Sequence, residues 1–507
     1  MTGKAKRSGK SLIELLRDFT SSETLPEIEI VDIVSDSRAA RKGSLFIALQ
    51  GIDTHGIDFS IDAVKAGAVA VLYDLQDEYC EQRIALLSKQ IQTHWIALER
   101  LNQINGEIVS RFYNEPGKYL KLIGVTGTDG KTSVTHLLIQ ALGGIGKAVA
   151  SIGTLGYGVG NQLEPSALTT PDAVTLQTWL HEFYLQQCEY VVMEVSSHAL
   201  DQFRVNGCRF DIAVLTNLGR DHLDYHGSQA QYAETKARLF RDFDLSARVL
   251  NVDDALGLTL SQEFESEGPV RYSASITTAP ADAEVRLLSS EVTDRGLDMR
   301  VTTPNGEILA STSLMGRFNI ENTLACISIL IALGLDREQI QQAVTGLKPI
   351  PGRMEKFSGH GGLAMAVVDF AHTEQALRAC LTTCREYTRG QLWCIFGCGG
   401  DRDQGKRQGM GSAVEQLADR VIITDDNPRT EDPENIVAEI LKGLRHPENA
   451  RVVHNRQAAI EYALSEAGAD DLVVIAGKGH EQEQIIGRER IPFSDRQVVQ
   501  RIMQAAT

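Results

Sequence analysis

The sequence predicts an α/β protein of about three domains: a small N-terminal α/β domain, a central domain built on a mainly parallel sheet, and a doubly wound C-terminal domain. Three observations predict it. At 507 residues the chain is too long for one hydrophobic core, since domains hold ~100–200 residues. Short apolar strand-type segments alternate with helical stretches, the pattern of parallel sheets with crossover helices. Four of those segments run into polar, glycine-rich loops beginning at Gly127, Gly397, Asp425 and Gly477, and ligands of open parallel sheets bind beyond the carboxyl ends of the strands.

In chain order, strand-type segments at 45–49 and 68–73 suggest a small α/β domain over residues 1–98. The central domain, 99–347, opens with the apolar strand 121–126, a glycine-rich loop and a helix over 133–142, followed by strands at 190–195, 211–216 and 248–251. Two prolines and a glycine in Lys348-Pro-Ile-Pro-Gly352 then punctuate the pattern. From 348 to 507 the alternation restarts, with strands at 364–370, 392–396, 421–424 and 471–476 forming a Rossmann-like domain.

The composition, 43% hydrophobic and 23% charged, is that of a folded globular protein. A formal net charge of −17 opposes nucleic acid and anionic membrane, which are bound through lysine and arginine. The basic start (Lys4, Lys6, Arg7, Lys10) precedes no apolar stretch and reads as a frayed tail rather than a signal. The most apolar run, 323–335, falls short of the ~20 residues of a membrane span and reads as a buried helix. Eight scattered cysteines form no CxxC pair and read as reduced structural thiols, which makes the cytoplasm the expected compartment.

Gly127-Thr128-Asp129-Gly130-Lys131-Thr132-Ser133, between a strand and a helix, has the form of a phosphate cradle: the glycines let backbone amides face one anion. Lys131 would reach terminal phosphates and Thr132 would ligate magnesium, so the central domain reads as a P-loop ATPase. Read alone, the loop could also be a glycine turn with a solvated lysine. Glu194 sits near the end of an apolar strand, where a carboxylate needs a partner or a metal. His222, in the polar run Thr216-Asn-Leu-Gly-Arg-Asp-His222, is the other ligand candidate; taken singly, each could equally be a hydrogen-bonded structural residue.

The motifs Gly124-Val-Thr-Gly-Thr-Asp-Gly-Lys-Thr132, Met193-Glu-Val-Ser-Ser-His198, Thr216 to His226, Gly316-Arg-Phe-Asn-Ile-Glu-Asn322, Gly399-Gly-Asp-Arg-Asp403, Asp426-Asn-Pro-Arg429 and Gly477-Lys-Gly-His-Glu481 resemble those of the Mur ligase family along nearly the whole chain. The resemblance is strongest to its UDP-N-acetylmuramoyl-tripeptide synthetase (MurE-type) branch. It implies an N-terminal domain for the uridine nucleotide, a central ATPase and a C-terminal domain for the amino acid. ATP would phosphorylate the γ-carboxylate of UDP-MurNAc-L-Ala-D-Glu, and an amine would attack the acyl phosphate in a step of peptidoglycan synthesis. The resemblance further implies that Glu194 and His222 hold Mg2+ and that Lys236, which the residues alone place on a helix surface, becomes N6-carboxylysine and a metal ligand. It places Asn319 beside adenine, although that residue could equally cap a helix. For the nucleotide sugar it points to Ser35, Ser37, Ile52, Asp53, Thr54, Thr169, Thr170, Ser196, Gln202 and Arg204.

For the amino acid, the resemblance points to Arg402, Asp426, Asn427, Pro428, Arg429, Gly477 and Glu481. Pro428 fixes φ before Arg429, and an arginine fork suits a carboxylate. The Asp-Asn-Pro-Arg form accompanies family members that add meso-diaminopimelate. L-lysine lacks the second carboxylate and would leave the guanidinium unpaired, at ~1–3 kcal/mol or more. Two departures stand out: Asp129 replaces a frequent Asn, with its carboxylate expected to face away from the phosphates, and Phe370 and Glu374 replace a usual Tyr and Pro. Two other classes stay open: a lysine-adding or folylpolyglutamate-type ligase, and a non-catalytic P-loop switch. Small-molecule substrates, a monomer, and no nucleic acid or membrane insertion complete the expectation.

Overall fold

The computed structural model describes residues 9–21, 25–51, 54–280, 282–293, 296–358 and 362–505. The start of the basic tail and two substrate-site candidates, Ile52 and Asp53, lie outside the described residues. The chain forms two compact units, one holding residues up to Ser273 with 278–285 and 325–336, the other 274–277, 286–324 and the remainder from Arg337.

The first unit begins with a four-stranded parallel sheet, Asp32–Val34, Ser44–Ile47, Ala68–Asp74 and His94–Leu98, paired in chain order. The two-residue period of a strand splits its apolar side chains between two layers. Leu45, Ile47, Ala70 and Leu72 pack with Leu12, Leu15, Leu101 and Ile108, while Phe46 and Val71 pack with Ile57, Ala63 and Cys80. His55 pins the loop that enters the second layer: Nδ1 accepts from the Ile57 N–H at 3.0 Å, and Nε2 lies 2.8 Å from Asp77. Because Nδ1 accepts, the ring proton sits on Nε2 facing the carboxylate. With Cys80 Sγ 3.7 Å from the same Nε2, His55, Asp77 and Cys80 make a hydrogen-bonded trio.

The rest of the first unit is built on six parallel strands in the order Val149–Gly153, Tyr190–Glu194, Lys121–Thr126, Phe210–Leu215, Ala247–Asn251, Val270–Ser273. An antiparallel hairpin, Gly156–Val159 and Gln162–Glu164, extends the Val149 edge. The strands at 121, 190, 210 and 247 are those the sequence predicts, within a residue or two. Lys121–Thr126 lies at the centre of this order, so its carboxyl end is flanked by those of Tyr190–Glu194 and Phe210–Leu215, as the switch-point rule requires of a ligand loop.

In the second unit a six-stranded sheet runs Glu355–Phe357, Met365–Asp369, Leu472–Ala476, Leu392–Phe396, Arg420–Ile423, Ala450–Val452, parallel except for its first strand. Apolar layers cover both faces, with Leu377, Leu381, Met410 and Ile440 on one and Ile460, Leu464, Val498 and Met503 on the other. That is the doubly wound arrangement expected. Not expected is an antiparallel meander, in which Gly296–Thr303 pairs with Val285–Thr293 and with Gly306–Thr312. Most of the apolar run read at 323–335 lies in the helix Phe318–Ala332, which ends three residues before the run does. Among the described residues no helix is long and apolar enough to cross a membrane, and all eight cysteines are free and buried.

Candidate active site

The phosphate-type loop joins Lys121–Thr126 to the helix Lys131–Gly144. Gly127 adopts φ +146°, and a Cβ there would stand 1.9 Å from Thr216 Oγ1, so the loop can close on the neighbouring strand end only with glycine. Asn217 clamps it: the Thr128 N–H donates to the Asn217 carbonyl at 2.9 Å, and the Asp129 N–H to Asn217 Oδ1 at 3.0 Å. Asp129 thus serves through its backbone N–H, while the residue itself is exposed. Lys131 Nζ donates to the carbonyls of Gly127 and Thr128 at 2.9 and 2.8 Å.

Thr132 Oγ1 donates to Glu194 Oε2 at 2.9 Å. Glu194 is wholly buried and also accepts from the Thr154 N–H (2.8 Å) and hydroxyl (3.2 Å). Gly153 leaves room for it, since a Cβ there would lie 2.3 Å from Oε1. These are hard oxygen donors, the kind that magnesium and calcium take.

Lys236 is not on a helix surface. On the helix Gln229–Arg241 it shares a buried face with Tyr232, one turn earlier, and it is only 1% exposed. Its Nζ donates to the Gly127 carbonyl at 2.7 Å and lies 4.6 Å from the centre of the Tyr232 ring. Burial, and then the nearby Lys131 cation, push its ammonium well below the ordinary lysine range. Tyr232 OH lies 3.1 Å from Thr128 Oγ1, which ties this helix to the loop. His222 is exposed at φ +52°, 3.3 Å from the Asp221 carboxylate, with its ring edge on His198 at 4.8 Å.

A second network joins five of the proposed nucleotide-sugar residues in one neighbourhood with Glu194. Thr169 Oγ1 meets Thr154 Oγ1 at 3.1 Å, and Thr170 Oγ1 bridges the Glu194 carbonyl (2.8 Å) and the Ser196 N–H (3.1 Å). Arg204 donates to the Thr170 carbonyl and to Gln202 Oε1, both at 3.0 Å. Ser196 caps the short helix Ser197–Asp201. Ser35 reaches Asp172, the cap of Ala173–Leu185, at 3.5 Å. Ser37 starts a 3-10 turn, and Thr54 lies exposed in the loop before His55.

Asn319 belongs to the second unit. It lies inside its helix rather than at the cap, with Nδ2 donating to the Met315 carbonyl at 2.7 Å and Oδ1 accepting from Asn322 at 3.0 Å.

The proposed amino-acid residues of the second unit gather at the carboxyl ends of its strands. Arg429 takes φ +53°, and its Nη1 donates to the Gly400 carbonyl at 2.8 Å. A Cβ at Gly399 would stand 3.0 Å from Arg429 Nη1 and 3.8 Å from Arg402 Cγ, so bare backbone lets both arginines approach. Asp426 and Asn427 are buried, and burial raises the Asp426 carboxyl. Gly477, at φ +118°, leaves space that a Cβ would fill 2.6 Å from Asp426 Oδ2. Asn427 Nδ2 donates to Glu481 Oε2 at 2.9 Å. Burial would raise the Glu481 carboxyl, but the Lys478 ammonium overrides it and holds the group below the usual range.

Sequence reasoning missed the support of this loop. The strand Glu483–Ile486 of a hairpin with Glu489–Pro492 lies along it: Gln484 donates to the Asp426 carbonyl at 2.7 Å, the Ile485 N–H to Asn427 Oδ1 at 2.9 Å, and the Gly487 N–H to the Arg429 carbonyl at 2.7 Å. These bonds hold the strained Arg429 backbone. The Gly487-Arg488 turn between two short segments is a hairpin signal, but nothing in it names the loop the hairpin serves. Thr154, Asn217 and Lys478 were likewise unassigned.

Three family models match the chain: the Mur ligase family catalytic domain over residues 29–113, the Mur ligase middle domain over 125–330, and the Mur ligase glutamate ligase domain over 352–479. A UDP-N-acetylmuramoyl-L-alanyl-D-glutamate--2,6-diaminopimelate ligase of Alkalilimnicola ehrlichii is 42% identical over 493 residues, 97% of either chain. One of Xanthomonas campestris is 40% identical over 96% of this chain and 95% of that protein. A solved structure of an enzyme of the same name superposes with a TM-score of 0.70 at 34% identity, covering 98% of this chain and 99% of the other.

Proposed function

The chain belongs to the Mur ligase family, and on that premise we propose that it joins meso-diaminopimelate to UDP-N-acetylmuramoyl-L-alanyl-D-glutamate, converting ATP to ADP and phosphate. This is an amide ligation of bacterial peptidoglycan precursor synthesis. The observation that carries it is the junction at Gly127, where the loop lysine Lys131 and the buried Lys236 share one carbonyl and the next residue after Lys131 holds Glu194.

A carboxylate is a poor electrophile, so the γ-carboxylate oxygen first takes the terminal phosphoryl group of ATP, forming an O–P bond as the bond to ADP breaks. The amine nitrogen then attacks the acyl carbon, phosphate leaves with its oxygen, and the ammonium proton is lost. Bringing an anionic nucleophile to a triphosphate requires positive charge and fixed geometry. The amides of 130–133 and the Lys131 ammonium supply it, with Asn217 taking the Thr128 and Asp129 amides and so fixing the loop. Thr132, Glu194, His222 and a carbamylated Lys236 are the residues we assign to Mg2+, which when bound neutralises phosphoryl charge. Burial supports the carbamate: a lysine driven to its neutral amine adds carbon dioxide, forming an N–C bond, releasing a proton and replacing a cation with an anion.

Arg429, aimed by the hairpin strand, grips the distal carboxylate of the incoming amino acid, with Arg402, Asp426, Asn427, Pro428 and Gly477 shaping the pocket and Glu481 taking the distal ammonium. Ser35, Ser37, Ile52, Asp53, Thr54 and the network from Thr169 to Arg204 are assigned to the nucleotide sugar, and Asn319 to adenine. We divide the chain into residues 1–98 for the nucleotide sugar, 99–347 for ATP and 348–507 for the amino acid. The three family matches fall in the same order along the chain, although the first of them runs past residue 98 to residue 113. The substrates are small molecules, and we take the protein to act as a cytoplasmic monomer. The test is product mass: the purified protein with ATP, magnesium, UDP-MurNAc-L-Ala-D-Glu and meso-diaminopimelate should yield the nucleotide tripeptide. Unchanged nucleotide dipeptide would overturn the reading.

A further inference from the structure

We propose that Lys478 is a positioning residue for the incoming amino acid: its buried side chain ties the Glu481 carboxylate to the Asn427 amide, committing one carboxylate oxygen to the protein and reserving the other for the substrate's distal ammonium. The proposal rests on the functional reading above and names a further residue of that site.

Lys478 is fully buried, with side-chain exposure of 0% against 32% for Glu481. Its Nζ donates to Glu481 Oε2 at 2.6 Å and to Asn427 Oδ1 at 3.0 Å. Asn427 closes the triangle through Nδ2, 2.9 Å from the same Oε2, and its Oδ1 is taken a second time by the Ile485 N–H. Glu481 Oε2 thus receives two donors, while Oε1 takes part in neither bond. The lysine chain reaches its partners from inside the protein, so it holds the acid without standing between it and a ligand. Asn427 follows as a strut between the Arg429 loop and the Glu481 loop more than as a contact of its own. Lys478 therefore links the carboxylate grip and the ammonium grip, whose spacing is what tells a diamino diacid from a monoacid.

The test compares the wild type with K478M, E481Q and K478M/E481Q, measuring KM for each of the three substrates, kcat and the thermal midpoint. K478M should raise the meso-diaminopimelate KM about tenfold or more and leave those of ATP and the nucleotide sugar within about twofold. The double variant should be no worse than E481Q alone, because a residue acting through Glu481 has nothing left to position. That comparison stands even if K478M, which removes the cation beside a half-buried carboxylate and leaves it only the Asn427 donor, fails to fold. A double variant whose KM is the product of two independent losses, or a K478M whose three KM values rise together, would overturn the proposal. If the wild type accepts a different diamino acid, the functional reading fails, and the same comparison on that substrate still decides the role of Lys478.

Discussion

Lys236 Nζ donates a 2.7 Å hydrogen bond to the carbonyl of Gly127, from 109 residues further along the chain. The bond joins the helix that carries Lys236 to the loop proposed to cradle phosphate, and it lies where burial favours a neutral amine. Charge control at this junction underlies the chemistry proposed for the protein.

Lys236→Ala removes both that bond and the proposed carbamate. We expect kcat to fall on the order of a hundredfold or more, as for loss of one preorganised electrostatic group. A short carboxylic acid added to the assay should restore part of it. Full activity without any additive would remove Lys236 from the mechanism.

The same residue predicts a pH dependence. Its ammonium is depressed well below the usual value, so the free amine, the form that adds carbon dioxide, grows as pH rises through that lowered pKa and is lost to protonation below it. Protein equilibrated with 13C-bicarbonate should show one carbamate resonance near neutral pH, absent in Lys236→Ala and fading on acidification. An ordinary lysine, with pKa ~10.4, would be almost wholly protonated there.

Arg429→Ala should raise the meso-diaminopimelate KM roughly ten- to a hundredfold, the cost of one charge-assisted hydrogen-bonded contact, with the ATP KM nearly unchanged. Steady-state kinetics with each substrate varied in turn checks it. Turnover with L-lysine equal to that with the diacid in the wild type would contradict the assigned specificity.

Stability of the second unit depends on Arg456 and Asp495, both fully buried and joined by two 2.8 Å bonds. Asp495→Ala strands a buried guanidinium and should cost about 3–5 kcal/mol. Urea unfolding followed through Trp393, which packs in the same unit, should show the midpoint shifting down, whereas an unchanged midpoint would mean the pair is relaxed by solvent.

Much of the fold was legible because parallel strands buried on both faces read as apolar runs. Met365–Asp369, Leu392–Phe396 and Leu472–Ala476 were found that way. The meander at Gly296–Thr303 was not, although Leu297, Met299 and Val301 alternate with Asp298 and Arg300 in the manner of a half-buried strand. Its apolar residues are separated by charged ones and form no continuous run of the kind that marks a strand buried on both faces. Within the site, loops at strand ends announced themselves through glycine and charge, so Gly127 to Thr132 and Asp426 to Arg429 stood out. Lys236 did not, because a lysine on an amphipathic helix gives no local sign that its face turns inward toward Gly127. Lys478 and Gln484 escaped for the same reason: Asn427, the strut that Lys478 holds, and Asp426, the partner of Gln484, lie 51 and 58 residues away, and only the folded strand order brings them together.

The most direct test of the acyl-phosphate route is to label the γ-carboxylate of the D-glutamyl residue with 18O and follow the label through one round of synthesis. The account predicts that one 18O atom appears in the released phosphate for each tripeptide formed, because that oxygen leaves with phosphorus when the amine attacks. Tripeptide formed with unlabelled phosphate would contradict it.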